Sequence, residues 1–274
     1  MEDIRLIATD VDGTILPHGG KISEATRRAV RRCRAAGIPF VIASGRWIGA
    51  LEDIVCAVGA EDQPLIVANG GAVVAPDGAI LHEWTMDERD AWDAYGVLRK
   101  YDVMIVSYVR DAAYRLNTAA MPQLPGGYMG KRDYRAVDDD VNAFEAEGLR
   151  GVYKLEAITE DRNVIARLRT ELLEKTRAVI TGAFWRNTEI QSPGMGKGTA
   201  LRWLADSLGI PAGNCMAFGD NTNDVDMLEA VGWPVAMANG AERAKAAARI
   251  VAPADVGDGV AQTIFKYVFG EKLS

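Results

Sequence analysis

Leu6-Ile7-Ala8-Thr9-Asp10-Val11-Asp12-Gly13-Thr14 carries a short apolar run straight into two aspartates and a glycine. A continuous run of this length reads as a buried strand, and it ends at Asp10. Gly13 permits the chain to turn just beyond the strand. Two carboxylates, Asp10 and Asp12, can then approach one centre.

Working outward, Ser23 is placed to cap a helix, because its hydroxyl can accept from a free amide of the first turn. Behind it Ala25, Ala29, Val30 and Cys33 recur at helical spacing, while Arg27, Arg28, Arg31 and Arg32 face water. Gly37 ends that helix, and residues 38–43 read as a second strand. The same alternation returns after about residue 190. There 199–208, 223–230 and 242–248 read as helices, and 215–218 and 235–237 read as strands. Strands alternating with helices imply right-handed crossovers. The fold class is therefore α/β, with a doubly wound, mainly parallel, Rossmann-like core. Chemistry in such sheets sits at the carboxyl ends of the strands, where Asp10, Ser44 and Asp220 all fall.

The middle of the chain differs. Residues 87–101 and 161–175 are helix-like, 103–109, 152–158 and 178–181 are strand-like, and 121–127 is a Pro/Gly-rich loop. Residues 84–189 are read as an α+β domain inserted between core segments 1–83 and 190–274.

Of the 274 residues, 49% are hydrophobic and 25% charged, the balance of a folded globular chain. The net charge of −7 argues against a nucleic-acid surface, so the arginines of the first helix are read as its solvated face. No apolar run reaches the roughly 18–20 residues that span a bilayer. The acidic start Met1-Glu2-Asp3 does not resemble a secretory leader. Cys33, Cys56 and Cys215 lack metal or redox spacing and read as reduced core residues. A cytoplasmic setting is the expectation.

Four segments carry chemistry. Of Asp10 and Asp12, one can attack phosphorus while the other handles a proton; a lone Asp-x-Asp is more often a pair of helix-capping loop residues. Gly219-Asp220-Asn221-Thr222-Asn223-Asp224 follows a second strand and opens a second helix. Asp220 and Asp224, with an Asp10 oxygen and the Asp12 carbonyl, offer the hard oxygen ligands that Mg²⁺ prefers. So many acids in one place would repel unless a cation sat among them. Ser44, followed by Gly45, ends a strand and can donate to a phosphate oxygen. Lys197 lies in Pro193-Gly194-Met195-Gly196-Lys197-Gly198, where its ammonium can neutralise Asp10 and a transferring phosphoryl group. The spacing around it is not that of a P-loop.

In order and context these segments resemble the four motifs of the haloacid-dehalogenase superfamily of phosphotransferases. Ala43-Ser44-Gly45-Arg46, Asn69-Gly70, 196–201, 219–228 and Met237-Ala238-Asn239-Gly240 are similar to its Cof-like branch, which carries a type IIB cap where 84–189 lie. Ser44 stands where that branch more often has threonine, and Gly194-Met195-Gly196 replaces the commoner Gly-Val-Ser.

The resemblance implies a magnesium-dependent phosphatase acting on small phosphate monoesters such as sugar phosphates. Asp10 would become an aspartyl phosphate, and Asp12 would act as acid and then as base. Ser44, Gly45, Lys197 and Asn223 would hold the phosphoryl oxygens, and Asp10, Asp12, Asp220 and Asp224 the metal. Asp224 would either ligate the metal or orient Lys197. The implied partner is a small phosphorylated metabolite, with no nucleic acid, membrane or obligate protein partner. Substrate choice is expected from the inserted domain, with Trp84, Trp92, Tyr128, Lys131, Arg132 and Trp185 as candidates and 126–131 as the run to watch. His18 and His82 receive no catalytic role. A phosphosugar mutase and a non-catalytic phosphate-ligand sensor are the alternatives on the same fold. A dinucleotide-binding domain lacks its Gly-x-Gly-x-x-Gly here.

Overall fold

The computed structural model describes residues 3–17, 19–110, 112–116, 137–138, 140–182, 186–253, 256 and 258–272. Its order begins with β1 (Leu6–Thr9), α1 (Glu24–Ala35), β2 (Phe40–Ala43), α2 (Glu52–Val58), β3 (Leu65–Val67), β4 (Ala72–Val74) and β5 (Ile80–Glu83). All four residues of β1 and of β2 are buried, which is why both read as continuous apolar runs. Ser23 caps α1, its Oγ accepting from Thr26 N at 3.1 Å. The buried stripe of α1 is Thr26, Ala29, Val30 and Cys33, so Thr26 takes the inward place that the spacing gave to Ala25.

The chain then builds α3 (Glu88–Leu98), β6 (Met104–Val109), β7 (Ala112–Leu116), β8 (Val137–Asp138), the single turn α4 (Val141–Ala143), β9 (Lys154–Ile158), α5 (Arg162–Lys175), β10 (Val179–Thr181) and β11 (Asn187–Gln191). It closes with α6 (Lys197–Ser207), β12 (Cys215–Gly219), α7 (Val225–Glu229), β13 (Trp233–Ala236), α8 (Glu242–Ala246), β14 (Ile250–Val251) and α9 (Asp258–Tyr267). No helix among the described residues is long and apolar enough to cross a membrane.

These elements form two compact units, one of Met1–Glu83 with Gly196–Ser274 and one of Trp84–Met195. The inner boundary thus lies six residues beyond 189/190. The physical reason is β11, which pairs antiparallel with β9 and β10 and so continues the second unit's sheet.

In the first unit the described strands make one eight-stranded sheet, ordered β14-β13-β12-β1-β2-β3-β4-β5. The ladders from β14 through β3 are parallel, and β4 and β5 add antiparallel pairs at one edge. Thr9 pairs with Phe218 on one side and with Ile42 on the other. The residues that follow, Asp10, Gly219 and Ala43, therefore lie at one level. Cys33 and Cys215 are buried as expected, whereas Cys56 on α2 is exposed. His82 stacks on Trp203 with ring centroids 4.8 Å apart.

The second unit's sheet, ordered β10-β11-β9-β6-β7-β8, is antiparallel except between β7 and β8. Side chains alternate along β9. Leu155 and Ala157 join a core with Tyr95, Phe144, Leu168 and Leu172. Lys154 and Glu156 alternate with them and take the opposite face. Lys154 Nζ donates to Glu189 Oε1 at 2.6 Å, Tyr108 OH to Glu156 Oε2 at 2.9 Å, and Asn187 Nδ2 to Glu156 Oε1 at 2.8 Å. Lys154, Glu156 and Glu189 are at most 2% exposed. Burial alone would push the Lys154 ammonium down, but the carboxylates of Glu189 and Glu156 outweigh it and hold its pKa above the usual value. Trp92 is 40% exposed on α3 and meets Tyr95 edge-on. The residues expected in loop 121–127 and run 126–131, with His18, Tyr128, Lys131, Arg132 and Trp185, lie outside the described residues.

Truncating Lys154 leaves the carboxylates of Glu189 and Glu156 buried without the ammonium that offsets their charge. Lys154→Ala is expected to cost about 3–5 kcal/mol in urea unfolding. A cost under about 1 kcal/mol, the usual value of an exposed pair, would show that the network is not desolvated in solution.

Candidate functional site

Three parallel strands deliver their chemistry to one end of the first sheet. Asp10 follows β1, its N–H donating to Phe218 O of β12 at 2.9 Å. Ser44 follows β2 and is buried, its N–H donating to Ile66 O of β3 at 2.9 Å. Gly45 comes next in the chain. Asp220 follows β12. The chain after Asp10 turns at Gly13, with φ +87°, and a Cβ there would lie 2.3 Å from Asp220 Oδ2. Only glycine fits both the dihedral and the approach. Thr14 then donates its hydroxyl to Asp220 Oδ1 at 2.9 Å, and Asn239 Nδ2 donates to Gly13 O at 3.0 Å.

Lys197, the first residue of α6, is the fourth contributor. Its ammonium is fully buried and donates at 2.6 Å to Asp10 Oδ1 and at 2.6 Å to Asp224 Oδ1. Asp224 Oδ2 accepts from the N–H groups of Asp220 (3.0 Å) and Asn221 (2.9 Å). Asp224 thus contacts Lys197 directly, and it also closes the turn into α7. Asn223 Nδ2 donates to Asn69 Oδ1 at 3.2 Å. Among the described residues Ala68 and Asn69 are the non-glycine ones with positive φ, 49° and 52°. Asparagine visits that region readily, whereas alanine there is strained, and such strain gathers where surrounding structure over-determines it.

Asp12 is held separately. Arg46 grips it through Nε to Oδ2 at 2.8 Å and Nη2 to Oδ1 at 2.6 Å, the bidentate fork that suits a carboxylate. Arg46 N–H also donates to Ser44 Oγ at 3.2 Å.

The electrostatics follow from burial. Burial pushes the Asp10 carboxyl well up; Lys197 opposes that, and the charges of Asp224, Asp220 and Asp12 add to it. Asp220 is pushed up to about 7 by burial and by the Asp224 charge, against the Thr14 hydrogen bond. For Lys197, burial lowers the pKa, but the carboxylates of Asp10 and Asp224 prevail and hold it far above an ordinary lysine. Asp10, Asp220 and Asp224 each present a carboxylate oxygen within 4.8 Å of the others. This all-oxygen, multiply anionic donor set fits a hard divalent cation such as Mg²⁺, which would offset the repulsion.

The structure therefore brings together Asp10, Asp220, Asp224 and Lys197 in direct contact or close approach. Ser44 and Asp12 are joined through Arg46, and Asn223 through Asn69. Arg46, Asn69, Asn239 and Asp226, whose Oδ2 accepts from Gly198 N–H at 2.8 Å, had no role in the sequence reading. Arg46 and Asn69 could have been found, since they lie three and two residues beyond the carboxyl ends of the parallel strands β2 and β3.

A family model described as haloacid dehalogenase-like hydrolase matches residues 7–264. Phosphoglycolate phosphatase of Methanoculleus marisnigri is 30% identical, over 96% of this chain and 97% of that protein. Endoribonuclease YBEY, chloroplastic, of Arabidopsis thaliana is 27% identical over 96% of this chain, which spans only 46% of that longer protein. A solved haloacid dehalogenase-like hydrolase from B. subtilis superposes with a TM-score of 0.82 at 25% identity, covering 96% of this chain and 100% of that one. With the aspartates, the lysine and the parallel register already in place, these matches make the chain a member of the haloacid dehalogenase-like hydrolases and a phosphatase of their Cof-like branch.

Proposed function

We propose that the chain hydrolyses small phosphate monoesters, sugar phosphates among them, in a magnesium-dependent reaction that passes the phosphoryl group through Asp10. The observation that carries this reading is the Lys197 ammonium held 2.6 Å from both Asp10 and Asp224, with Asp220 beside them at the ends of parallel strands.

A carboxylate oxygen of Asp10 attacks phosphorus in line, and the bond from phosphorus to the ester oxygen breaks. Asp12 gives its proton to that departing oxygen, leaving a free alcohol and an acyl phosphate on Asp10. In the second half Asp12, now a carboxylate, takes a proton from water as the water attacks phosphorus. Inorganic phosphate leaves and Asp10 is regenerated. Arg46, bidentate on Asp12, holds that side chain in place for the second half; for the first half Asp12 must part from the guanidinium to carry a proton. Ser44 Oγ, beside Gly45, and Lys197 Nζ hold phosphoryl oxygens, with the Asn223 amide completing the cradle. Lys197 offsets the charge that builds there. Asp10, Asp220, Asp224 and the Asp12 carbonyl would hold Mg²⁺, which supplies positive charge to the phosphoryl oxygens when bound. Because these residues all address phosphate, choice among esters is assigned to the second unit, Trp84–Met195.

Phosphate release from p-nitrophenyl phosphate and a panel of sugar phosphates, with phosphoglycolate included, tests the reading. Release is expected only with Mg²⁺, and Asp10→Asn is expected to abolish it in a protein that still folds. Release from no ester by folded wild type, or full activity after chelation, would sink it.

Asp12→Asn is expected to lower kcat by about 10²–10⁴, the usual worth of a positioned acid and base. With p-nitrophenyl phosphate the leaving group needs little protonation, so the second half should slow most and phosphorylated Asp10 should accumulate. Quenched-flow mass spectrometry checks this. An Asp12→Asn enzyme that turns over at the wild-type rate would remove Asp12 from the chemistry.

A further inference from the structure

Lys197 is a long, flexible side chain at the very start of α6, so its placement depends on how that helix begins. The N-cap of α6 is Gly196, which has no side chain to offer the free amides of the first turn. Helix starts usually obtain that from their own Ser, Thr, Asp or Asn. Here the acceptor comes from another element. Asp226, in α7, places Oδ2 2.8 Å from Gly198 N and accepts its hydrogen. A carboxylate at this end also meets the positive pole of the eleven-residue helix.

The fit is close on both sides of the lysine. A Cβ built on Gly196 would lie 2.0 Å from Asp226 Oδ2, and one on Gly198 would lie 2.2 Å from the Asp226 backbone oxygen. The two glycines that flank Lys197 are therefore the surfaces against which Asp226 is seated. They explain why the loop reads Gly-Lys-Gly where a nucleotide-binding loop would not. Asp226 is also two residues from Asp224, whose Oδ1 holds the same ammonium. The segment Asp224–Asp226, at the start of α7, thus grips Lys197 at its tip through Asp224 and its helix at the backbone through Asp226.

We infer that Asp226 is a positioning residue for Lys197: it caps α6 from outside the helix and fixes the ammonium's approach to Asp10. The inference rests on the proposed phosphatase reading and adds to it a residue that touches neither phosphate nor metal ligand.

The test compares wild type, Asp226→Ala and Asp226→Asn at saturating Mg²⁺ with p-nitrophenyl phosphate, together with amide hydrogen exchange of Gly198 in the metal-free protein. In Asp226→Ala, Gly198 exchange should quicken by about tenfold or more and kcat should fall about tenfold, the effect of losing one cap. KM and the Mg²⁺ concentration for half-activation should stay within about twofold. Asp226→Asn, whose amide oxygen can still accept from Gly198, should recover most of kcat and of the protection. A purely structural role would lower the melting temperature and leave kcat of the folded enzyme unchanged.

Unchanged kcat and exchange in folded Asp226→Ala would overturn the inference. So would an Asp226→Asn enzyme with kcat and Gly198 protection as low as expected for Asp226→Ala, and this holds even if the alanine variant fails to fold. A wild type that releases no phosphate would defeat the phosphatase reading instead; the Gly198 exchange ratio between wild type and Asp226→Asn would then decide the capping of α6 by itself, a large ratio overturning it.

Discussion

A lysine ammonium with no exposure to water, shared between two carboxylates, is the constraint on which the rest of the first unit is organised. Isolating any one of these charges in the interior would cost several kcal/mol. Together they are tolerable only if Asp10, Asp224 and Lys197 meet within hydrogen-bond distance, although Asp10 and Lys197 lie 187 positions apart in the chain. The parallel register supplies that accuracy: β1 between β2 and β12 fixes the height of Asp10, and the turn after β12 returns Asp224 to the same point. Backbone hydrogen bonds that seem generic thereby set the distances of the chemistry.

Crowding is a second consequence. Asp10, Asp12, Asp220 and Asp224 are brought to one end of the sheet against their own repulsion, and local contacts manage each of them. Thr14 serves Asp220, backbone amides serve Asp224, and Arg46 takes Asp12 out of the cluster. The positive-φ pair Ala68 and Asn69 belongs to the same arrangement, since the Asn69 side chain accepts from Asn223. A cluster so over-determined holds its geometry before any ligand arrives, which is what electrostatic stabilisation of a transferring phosphoryl group requires.

The second unit answers a different physical problem. Its sheet buries one apolar face under α3 and α5 and keeps charged groups on the other, so β9 alternates Lys-Leu-Glu-Ala where β1 and β2 carry no charged residue. Charged residues buried to this degree persist because each has a partner on a neighbouring strand: Lys154 with Glu189, and Glu156 with Tyr108 and Asn187.

By itself the amino-acid order was enough for the α/β class, and it singled out Asp10, Asp12, Ser44, Lys197, Asp220 and Asp224 as candidates. Those signals are local: a buried run, a glycine turn, a cap. Arg46, Asn69 and Asp226 were not legible as partners, since nothing near them in the chain says that Arg46 meets Asp12 or that Asp226 caps a helix 28 residues away. The second unit's end was misplaced for the same reason. Asn187–Gln191 is polar and lacks a strand's apolar signature, yet all five residues are buried because β9 and β10 pair with it. Pairing between distant segments is decided by the packed sheet, where a buried polar group must find its partner in space and its neighbours in sequence carry no record of which one it is.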